Sequence, residues 1–414
     1  MFGAGASYST EIQRDRWSFE MGPIRPPSEG QDSSLLIRAT RNCPWNRCHF
    51  CTTYKGHQFE YRSVAAVKQD IDTAQVLAQE LKAASWRAGY GGQVNDAIIA
   101  AVVRGNPQIY GNNAADQKER QARLQSLVTV GRWLASGART VFLQDGNTPV
   151  MRTPELVEVL NYLKQAFPTI ERVTSYGRSK TAAHKSLEEW RAIKEAGLSR
   201  LHVGLESGCD EVLQFMDKGA TAEEHVCGGR KVVEAGISLS EYVMPGLGGR
   251  RWSQKHALDT ARVLNQIGPD FIRLRSLVVR RGSPLDSRMI AGEFETLSED
   301  EVVTEVRLLV ENLDCHSYLA SDQMSNLLWE VEGQLPQDKA RLLAIIDRYL
   351  RLQPLERLDY RLKKRLGSYL SIYGGLDAAL EKKVEDALQS LRMAAPDAPA
   401  RVDAAIAALK QGFV

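Results

Sequence analysis

The chain has 414 residues, of which 43% are hydrophobic and 25% are charged, and its formal net charge is +2. This length suits one large domain with an appendage, or two to three domains. No apolar run reaches the roughly 18 residues that a membrane-spanning helix needs, and the first residues lack a secretory signal pattern. We therefore expect a cytoplasmic protein with no membrane partner, and the small net charge argues neither for nor against nucleic acid.

The N-terminal third shows little regular alternation of strands and helices. Residues 1–32 are polar and rich in proline and glycine, which indicates an N-terminal arm. A strand is predicted over 35–40, and it leads directly into a cysteine-rich loop. Helices are predicted over 63–86 and 116–137, with a loop over 105–113 where turn-forming residues cluster; a helical insertion therefore occupies roughly 90–137.

From residue 139 onward, strands alternate with helices of 10–15 residues, a pattern typical of βαβ units and a parallel sheet. With the first strand, six strands are predicted, so we expect an α/β fold: a partial (β/α)6 TIM-type barrel over 33–290. A doubly wound sheet is the structural alternative. Residues 291–414 are predicted to form a mostly helical C-terminal extension. The later strands are predicted over 139–147, 171–177, 199–208, 237–246 and 270–279, and the helices over 153–167, 186–197, 209–217, 221–235, 253–267, 298–314, 321–351 and 355–411.

Three of the six cysteines, Cys43, Cys48 and Cys51, lie within nine residues as C-x4-C-x2-C. Thiolates so spaced bind soft metals. A structural zinc site needs four ligands, and the fourth could only be His49 or a distant cysteine. A redox pair of Cys48 and Cys51 would leave Cys43 idle, and chance clustering is a further alternative. A 4Fe–4S cluster normally takes one cysteine per iron, so three would leave one iron open to a ligand. The loop follows the first strand of the array, where active sites of such barrels lie.

The loop, with Phe50 before its last cysteine, resembles that of the radical S-adenosylmethionine (radical SAM) superfamily. Two later segments strengthen the resemblance, "LHVGLESGCDEVLQFMDKG" (201–219) and "VRRGSPL" (279–285). They resemble segments of the subset that includes methylthiotransferases, coproporphyrinogen-oxidase-like proteins and cobalamin-linked radical SAM proteins. The resemblance covers about residues 33–290. It departs from the family pattern in two places: the usual cysteine motif is one residue shorter, and Gln144-Asp145-Gly146-Asn147 stands where a Gly-Gly-Glu-like turn is common.

The resemblance implies an enzyme, an oxidoreductase or transferase, with a 4Fe–4S cluster on Cys43, Cys48 and Cys51. It implies reductive cleavage of S-adenosyl-L-methionine to a 5′-deoxyadenosyl radical, which abstracts hydrogen from a small-molecule substrate. A flavodoxin or ferredoxin would supply the electron. A non-catalytic cluster or cofactor carrier and a zinc-stabilised binding module remain alternatives. The residues expected to contact the cofactor are Phe50, Gln144, Asp145, Gly146, Asn147, Ser175, Arg178 and Glu206; Glu206 could instead cap a helix, and Ser175 and Arg178 could form a surface turn.

Strand alternation gives an expectation for the substrate. Side chains alternate across a strand, so the apolar residues at 35, 37, 201, 203, 205, 272 and 274 would face the helices. Arg38, His202, Arg273 and Arg275 would then face the barrel interior as substrate-binding candidates, and Glu206 would face it as well. Three arginines exceed the interior carboxylates even if Glu206 or Glu241 pairs with some of them, and unpaired buried charge is costly. We therefore expect an anionic substrate held by Arg275 together with Arg273, with internal pairing as the alternative. The helical C-terminal region gives no indication of nucleic acid as a partner.

Overall fold

The computed structural model describes residues 17–24, 34–111 and 117–413 of the chain. Its main sheet has eight strands in the order β1-β4-β5-β6-β7-β8-β9-β10, and a two-stranded sheet pairs β2 with β3. All neighbours in the main sheet are parallel except β9 and β10. The strands are β1 (Ser34–Arg38), β2 (Thr40–Arg41), β3 (Glu60–Tyr61), β4 (Thr140–Gln144), β5 (Arg172–Gly177), β6 (Leu198–Glu206), β7 (Ser238–Val243), β8 (Phe271–Leu274), β9 (Tyr318–Ala320) and β10 (Gly333–Gln334).

Helices separate the six strands that alternation predicts, namely β1 and β4 to β8, and this confirms the predicted α/β fold of a partial barrel with a helical extension. The helices are α1 (Val64–Arg87), α2 (Asp96–Gly105), α3 (Pro107–Tyr110), α4 (Gln117–Ala135), α5 (Thr153–Ala166), α6 (Ser179–His184), α7 (Leu187–Ala196), α8 (Asp210–Phe215), α9 (Ala222–Glu234), α10 (Gly249–Ile267), α11 (Pro284–Ile290), α12 (Glu299–Glu311), α13 (Lys339–Leu350), α14 (Pro354–Tyr373), α15 (Ala378–Arg392) and α16 (Ala398–Lys410).

One face of the sheet packs against the helices. Leu35, Ile37, Leu201, Val203 and Ile272 are buried there in one core with helix residues. Since neighbouring residues in a strand point to opposite faces, Arg38, His202 and Arg273 lie on the other face. The phase predicted for these strands therefore agrees with the core that the structure builds.

Capping residues in the sequence set where several helices begin. Ser186 and Glu189 form a reciprocal capping box at the start of α7, and Thr221 and Glu224 do the same for α9. Each box satisfies backbone N–H groups that a helix start leaves without intrahelical partners. Each box thus sets the start of the second helix after a strand, since α6 precedes α7 after β5 and α8 precedes α9 after β6.

Two stretches differ from prediction. The loop expected over 105–113 contains the short helix α3, which starts at Pro107, a residue well suited to the first helical position. The helix expected over 321–351 is confined to α13, and the chain before it adds β10 to the sheet. Asn326 holds that chain to the end of β8, since its Nδ2 donates to the Leu274 carbonyl at 2.7 Å and its Oδ1 accepts from the Ser276 N–H at 2.9 Å.

The C-terminal helices α14, α15 and α16 enclose a small core of their own, which includes Leu362, Val384 and Ile406. The main sheet continues past residue 290 through β9 and β10, so a boundary at 290 remains a proposed division rather than a break in the sheet. Within the part of the chain that the structure describes, no helix combines the length and apolarity needed to cross a bilayer.

Of the predicted N-terminal arm, only residues 17–24 lie inside the described ranges, and they pack on the barrel. Phe19 is buried in the main core. The backbone of Gly22 exchanges two hydrogen bonds with the Gln144 side chain at the end of β4, at 2.7 and 3.0 Å. This segment therefore covers one side of the barrel mouth, the end of the barrel where the parallel strands finish.

Candidate active site

The cysteine loop lies across the barrel mouth and is fixed by backbone bonds to three different segments. The Ala39 N–H donates to the Gln144 carbonyl at 2.8 Å at its start. In the middle of the loop, the His49 N–H donates to the Met216 carbonyl at 2.9 Å, and the Leu285 N–H donates to the His49 carbonyl at 3.1 Å. The segments that resembled family motifs, 201–219 and 279–285, are therefore those that hold the loop.

The three thiols interact with one another and with two cations. Burial raises the pKa of Cys48, and the negative charges of Cys51 and Cys43 raise it further, while Lys218 and Arg178 lower it. A thiol must lose its proton and become a thiolate to bind a metal. The two cations therefore favour the form of the thiols that an iron–sulfur cluster requires and offset the negative charge that thiolates bring.

The spacing of the sulfurs suits a group larger than one ion. Among the described residues, only Cys209, Glu211 and Asp259 bring three potential ligand atoms within 4.8 Å of one another, so at least two of the three loop sulfurs are more than 4.8 Å apart. Around a single zinc ion with bonds of about 2.3 Å, sulfurs lie about 3.8 Å apart. The other group is occupied by Lys255, whose Nζ lies 3.0 Å from Glu211 and 2.6 Å from Asp259.

Glu206 ends β6 and forms an ion pair with Lys218 beside the thiols. The Glu206 Oε1 lies 3.2 Å from the Lys218 Nζ. Burial alone would lower the pKa of Lys218, but Glu206 and the Cys48 thiolate raise it above its ordinary value. A Cβ atom at Gly204 would lie 2.3 Å from the Glu206 Oε1 and 3.0 Å from the Lys218 Nζ. Gly204 therefore makes the room that this ion pair needs on the inner face of the sheet.

Arg178, which follows β5, reaches the same place. Its Nη2 donates to the carbonyl of Lys218 at 2.7 Å, and its guanidinium lies 5.1 Å from the ring of Trp45 in the cysteine loop. Its backbone N–H donates to the Asn147 Oδ1 at 3.0 Å. Burial lowers the pKa of Arg178, whereas Cys43 and Cys48 raise it. Arg178 is therefore a positioned cation at the mouth rather than part of an exposed turn.

In the tetrapeptide that replaces the Gly-Gly-Glu-like turn, the side chains of Gln144 and Asp145 already make hydrogen bonds within the protein. Gln144 is buried, and its side chain bonds the backbone of Gly22 and Ile24. The Asp145 Oδ2 accepts from the Arg38 Nε at 2.6 Å and from the Asn42 N–H at 3.0 Å, and its Oδ1 accepts from the Tyr54 hydroxyl at 2.8 Å. Asp145 thus already binds a cation of the protein, which leaves it little capacity to bind a cationic group of the cofactor.

Gly146, Asn147 and Phe50 border the loop in different ways. A Cβ atom at Gly146 would lie 3.4 Å from the Cβ of Cys43, so the backbone approaches the cysteine loop closely here. The Asn147 Nδ2 donates to the Thr181 hydroxyl at 2.8 Å and helps to place α6. The ring of Phe50 lies 5.8 Å from the Lys218 Nζ. These three residues surround the cysteines and fix their neighbours.

Ser175 does not reach the barrel mouth. It pairs in register with Leu143 and Leu201, which face the helices. It is fully buried, and its hydroxyl donates to the Tyr176 carbonyl at 3.1 Å. We therefore leave Ser175 out of the site, because strand phase directs it away from the other residues.

Two of the three interior arginines are already paired, which corrects the expected surplus of three positive charges. Arg38 forms ion pairs with Asp145 at 2.6 Å and Glu20 at 2.9 Å. Arg273 lies 3.2 Å from Asp322. The expectation failed because Glu20 and Asp322 come from segments outside the predicted strands. Internal pairing therefore accounts for Arg38 and Arg273.

Arg275 differs from both. Its guanidinium lies 5.0 Å from the centre of the Tyr242 ring, and its Nε is buried without a hydrogen-bond partner within the described ranges. No carboxylate among the described residues forms an ion pair with it. Glu241 is not placed to supply the missing charge, because it pairs in register with Val203 and Ile272, which face the helices. The predicted positive surplus is thus reduced to one residue.

Aromatic rings line the interior next to Arg275. Tyr176, His202 and Tyr242 contact one another with ring centres 5.5 to 6.1 Å apart. The Tyr242 hydroxyl is buried and has no hydrogen-bond partner among the described residues. A ligand between Arg275 and the cysteine loop would therefore meet a cation, a free phenol and apolar ring faces.

Sequence reasoning did not single out Lys218, Tyr54 or Tyr242. Lys218 lies inside the segment 201–219 whose resemblance was noted, and Tyr54 follows the last cysteine of the loop by three residues. Tyr242 shares the strand phase of Ser240, so alternation alone would have placed it beside His202. The signal was present for all three residues, but their partners were not visible in the sequence.

Comparison with known proteins gives a match to the model of the Radical SAM superfamily over residues 106–261. The match begins after the cysteine loop and ends in α10. It includes β4 to β7 and the segments between them, and therefore Arg178, Glu206, Lys218 and Tyr242. The family model and the cysteine motif therefore rest on separate parts of the chain.

Curated relatives match short stretches. A protein of Methanocaldococcus jannaschii described as uncharacterized is 25% identical over 113 residues, which is 27% of this chain and 34% of that protein. A tRNA uridine(34) acetyltransferase of the same organism is 22% identical over 117 residues, 28% of this chain and 22% of that protein. The chain thus matches about a third or less of the length of these relatives.

Solved structures of low similarity include an N-terminally truncated Elp3 of the archaeon Methanocaldococcus infernus, at 17% identity and a TM-score of 0.37, which covers 46% of this chain and 49% of that one. The cobalamin-dependent S-adenosylmethionine radical enzyme OxsB is 12% identical with a TM-score of 0.40 and covers 92% of this chain and 58% of that one. Likenesses this low carry no argument about function. The family match over residues 106–261, together with the cysteine motif, indicates a radical SAM domain in this chain, and enzymes of that superfamily bind a 4Fe–4S cluster and S-adenosyl-L-methionine.

Proposed function

We propose that this chain is a radical SAM enzyme that abstracts hydrogen from an anionic small-molecule substrate bound by Arg275. The observation that carries the proposal is the meeting of two features at one barrel mouth. One is a loop of three thiols beside two buried cations. The other is Arg275, which, unlike Arg38 and Arg273, has no carboxylate partner among the described residues.

In the proposed site, Cys43, Cys48 and Cys51 ligate the cluster, and their loop is rigid enough to keep one ligand position open. The bonds from Met216 and Leu285 to His49 fix the loop from both sides. When bound, the cluster and S-adenosyl-L-methionine supply a carbon-centred radical that removes a hydrogen atom from the substrate. The protein contributes binding, orientation and the exclusion of water.

Lys218, Arg178 and Glu206 are proposed to orient the methionine and ribose parts of the cofactor. Lys218 has three N–H donors, and one of them points to Glu206 in the described structure. The Arg178 Nη2 donates to the carbonyls of Lys218 and Gly219, and the other N–H groups of the guanidinium remain as donors for a ligand. Together they provide the positive charge that a carboxylate beside the cluster requires, while Glu206 remains an acceptor for hydroxyl groups.

The substrate is proposed to enter between the cysteine loop and β8. Arg275 offers a planar pair of donors that matches a carboxylate or phosphate group. The Tyr242 hydroxyl, beside Arg275, is a further hydrogen-bond donor for such a group. The aromatic faces of Tyr176 and His202 would keep water away from the carbon that loses its hydrogen.

The decisive test compares Arg275→Leu with Arg275→Lys under anaerobic conditions with a strong reductant. Arg275→Leu should lose substrate-dependent 5′-deoxyadenosine formation, while iron content and slow substrate-independent cleavage of S-adenosyl-L-methionine stay near wild-type values. Arg275→Lys should retain part of the turnover with a raised KM, because the charge remains but the two-pronged geometry is lost.

Two results would contradict the proposal. Loss of iron or of uncoupled cleavage in Arg275→Leu would make Arg275 a structural residue. Retention of full substrate turnover in that variant would show that Arg275 does not bind an anionic group of the substrate. The substrate can be sought among carboxylate- and phosphate-bearing metabolites by their effect on uncoupled cleavage.

A further inference from the structure

A cavity of about 350 Å³ lies between the barrel and the C-terminal helices. Its walls come from the segment after β8, from α12, from the stretch 321–331 and from α16. This volume is within the range of small-molecule sites, which begins near roughly 300 Å³. The cavity contains none of the residues assigned above to the cluster, the cofactor or the substrate.

The cavity and the barrel interior lie on opposite faces of the chain that continues β8. Leu274 and Ser276 line the cavity, whereas Arg275 between them contacts Tyr242 in the interior. Neighbouring side chains of an extended segment point to opposite sides. A ligand in the cavity is therefore separated from the proposed substrate by one layer of backbone.

Most of the lining is branched aliphatic, with residues such as Leu277, Val306 and Ile406. Within the described lining, no residue carries an aromatic ring. Such walls give no stacking surface for a planar ring system. They fit a flexible aliphatic body, which gains from burial in proportion to the apolar area removed from water.

One wall carries an ionised carboxylate with one oxygen unused. The Glu299 Oε1 accepts from the Arg365 Nε at 2.8 Å and lies 3.4 Å from the Lys410 Nζ. The Oε2 is buried and has no hydrogen-bond partner among the described residues, and the side chain is only 10% exposed. Burial alone would raise the pKa of Glu299, but Arg365 and Lys410 hold it below its ordinary value.

A second polar group at the cavity is also unused. The Ser325 hydroxyl is buried without a partner in the part of the chain that the structure describes, and Ser325 as a whole is 5% exposed. Both groups line the same cavity. A buried polar group without a partner costs free energy, so a ligand that bonds both groups would be stabilised there.

The charges around the cavity balance. Arg365 and Lys410 are matched by Glu299 and Asp403, all four of which line it. A cationic ligand would meet the two cations that already share the Glu299 Oε1, and an anionic one would meet the free Oε2. A neutral ligand with an O–H donor avoids both penalties.

We propose that this cavity binds a neutral aliphatic alcohol, whose hydroxyl donates to the Glu299 Oε2 and accepts from the Ser325 hydroxyl while its chain lies among the aliphatic walls. The cavity is also linked to the barrel mouth by a chain segment that contacts both. The segment 276–285 forms one wall of the cavity at its start and bonds the cysteine loop at its end, through Leu285 and His49.

The test uses the purified full chain and four probes of equal chain length: 1-octanol, 1-methoxyoctane, octanoate and octylammonium. Isothermal titration calorimetry should show one saturable site for 1-octanol, with an affinity about tenfold or more above that of the ether, because the ether cannot donate to a charged acceptor. Equal affinities for the alcohol and the ether, or tighter binding of either charged probe, would overturn the proposal.

Variants locate the binding. Val306→Trp fills the cavity and should abolish 1-octanol binding. Ser325→Ala should weaken 1-octanol about fivefold, the usual worth of one neutral hydrogen bond. Ser321→Ala is the matched control, since its hydroxyl lines the same cavity but already donates to the Leu328 carbonyl at 2.9 Å. It should leave the affinity unchanged.

If Val306→Trp does not fold, the two serine variants decide the question by themselves. Equal affinities of Ser325→Ala and Ser321→Ala for 1-octanol would place the alcohol elsewhere and refute the assignment. The measurement needs neither the cluster nor turnover, so its result is independent of the function proposed above.

Discussion

The two sides of the barrel mouth treat charge in opposite ways. On the side of β1 and β4, the interior charges are paired with one another: Arg38 binds Asp145 and Glu20, and Asp145 also accepts from Tyr54. On the side of β7 and β8, Arg275 has no carboxylate, and the Tyr242 hydroxyl has no partner among the described residues. The first side is a completed scaffold, and the second retains the binding capacity that a ligand can use.

The difference distinguishes polar groups that stabilise the fold from polar groups that remain able to bind a ligand. A saturated network rigidifies its surroundings, whereas an unsaturated buried group is costly unless something else satisfies it. Substitutions on the first side should therefore reduce stability, and those on the second side should reduce binding. The following predictions test that contrast, from the largest expected effect to the smallest.

Replacing Cys43, Cys48 and Cys51 together by alanine should remove the cluster entirely, because it removes every thiol of the loop and the other cysteines, at 209, 227 and 315, are isolated in the sequence. Iron and acid-labile sulfide should fall to background after anaerobic reconstitution, against about four irons in the wild type. The control is Cys227→Ala, which changes an exposed cysteine. Wild-type iron content in the triple variant would refute the assignment of the cluster to this loop.

Arg38→Leu should lower the free energy of unfolding by about 3–5 kcal/mol, the usual cost of removing one partner from a buried ion pair. Asp145, which is fully buried, would be left with its charge uncompensated. Urea denaturation followed by circular dichroism measures the change. A loss below about 1 kcal/mol would mean that the β1 side is not the scaffold that its bonds suggest.

Glu241→Gln should stabilise the protein increasingly as the pH rises from about 4.5 to 8. In the folded protein burial raises the pKa of Glu241 well above the ordinary range, whereas the unfolded chain ionises near about pH 4.3. The wild type therefore loses stability as the pH rises, by at most about 1.4 kcal/mol per pH unit, and glutamine removes this loss. Denaturation curves at four pH values suffice, and a pH-independent difference would show that Glu241 is ionised when folded.

Arg275→Leu should change the free energy of unfolding by less than about 1 kcal/mol, since no ion pair is broken. The same substitution at Arg38 is the matched control, so the two variants together measure the contrast between the two sides of the mouth. Equal destabilisation by both variants would show that Arg275 has a structural partner and would remove the basis for a ligand at this side.

The sequence predicted the repeating part of the fold well. Strands β1 and β4 to β8 and most helices lie within a few residues of their predicted positions, because hydrophobic periodicity and capping residues act locally. The prediction over 321–351 failed where a single side chain, Asn326, replaces strand hydrogen bonds at the end of β8. A contact between residues some fifty positions apart leaves no local pattern.

The site was predictable to a similar degree. The cysteine spacing and the segment after β6 were both singled out from short motifs, and the structure brings them together at the barrel mouth. The partners of the interior charges did not follow, because Glu20 and Asp322 lie outside the motif-bearing strands. Strand phase correctly put Arg38, Arg273 and Arg275 on one face, but it could not show which of them the rest of the chain had already neutralised.

The pairing of β1 with β4 has a consequence for the timing of synthesis. Ser34 pairs with Thr140, and Arg38 reaches Asp145 across 107 positions of the chain. At about 5–20 residues per second, a ribosome needs about 10–50 seconds after Cys51 to reach Leu285, the last of the residues that bond the cysteine loop. During that interval the three thiols have neither their scaffold nor their cationic neighbours. We expect the nascent chain to be more sensitive to oxidation than the folded one, and slower elongation over α1 to α4 to lower the yield of protein that can accept a cluster.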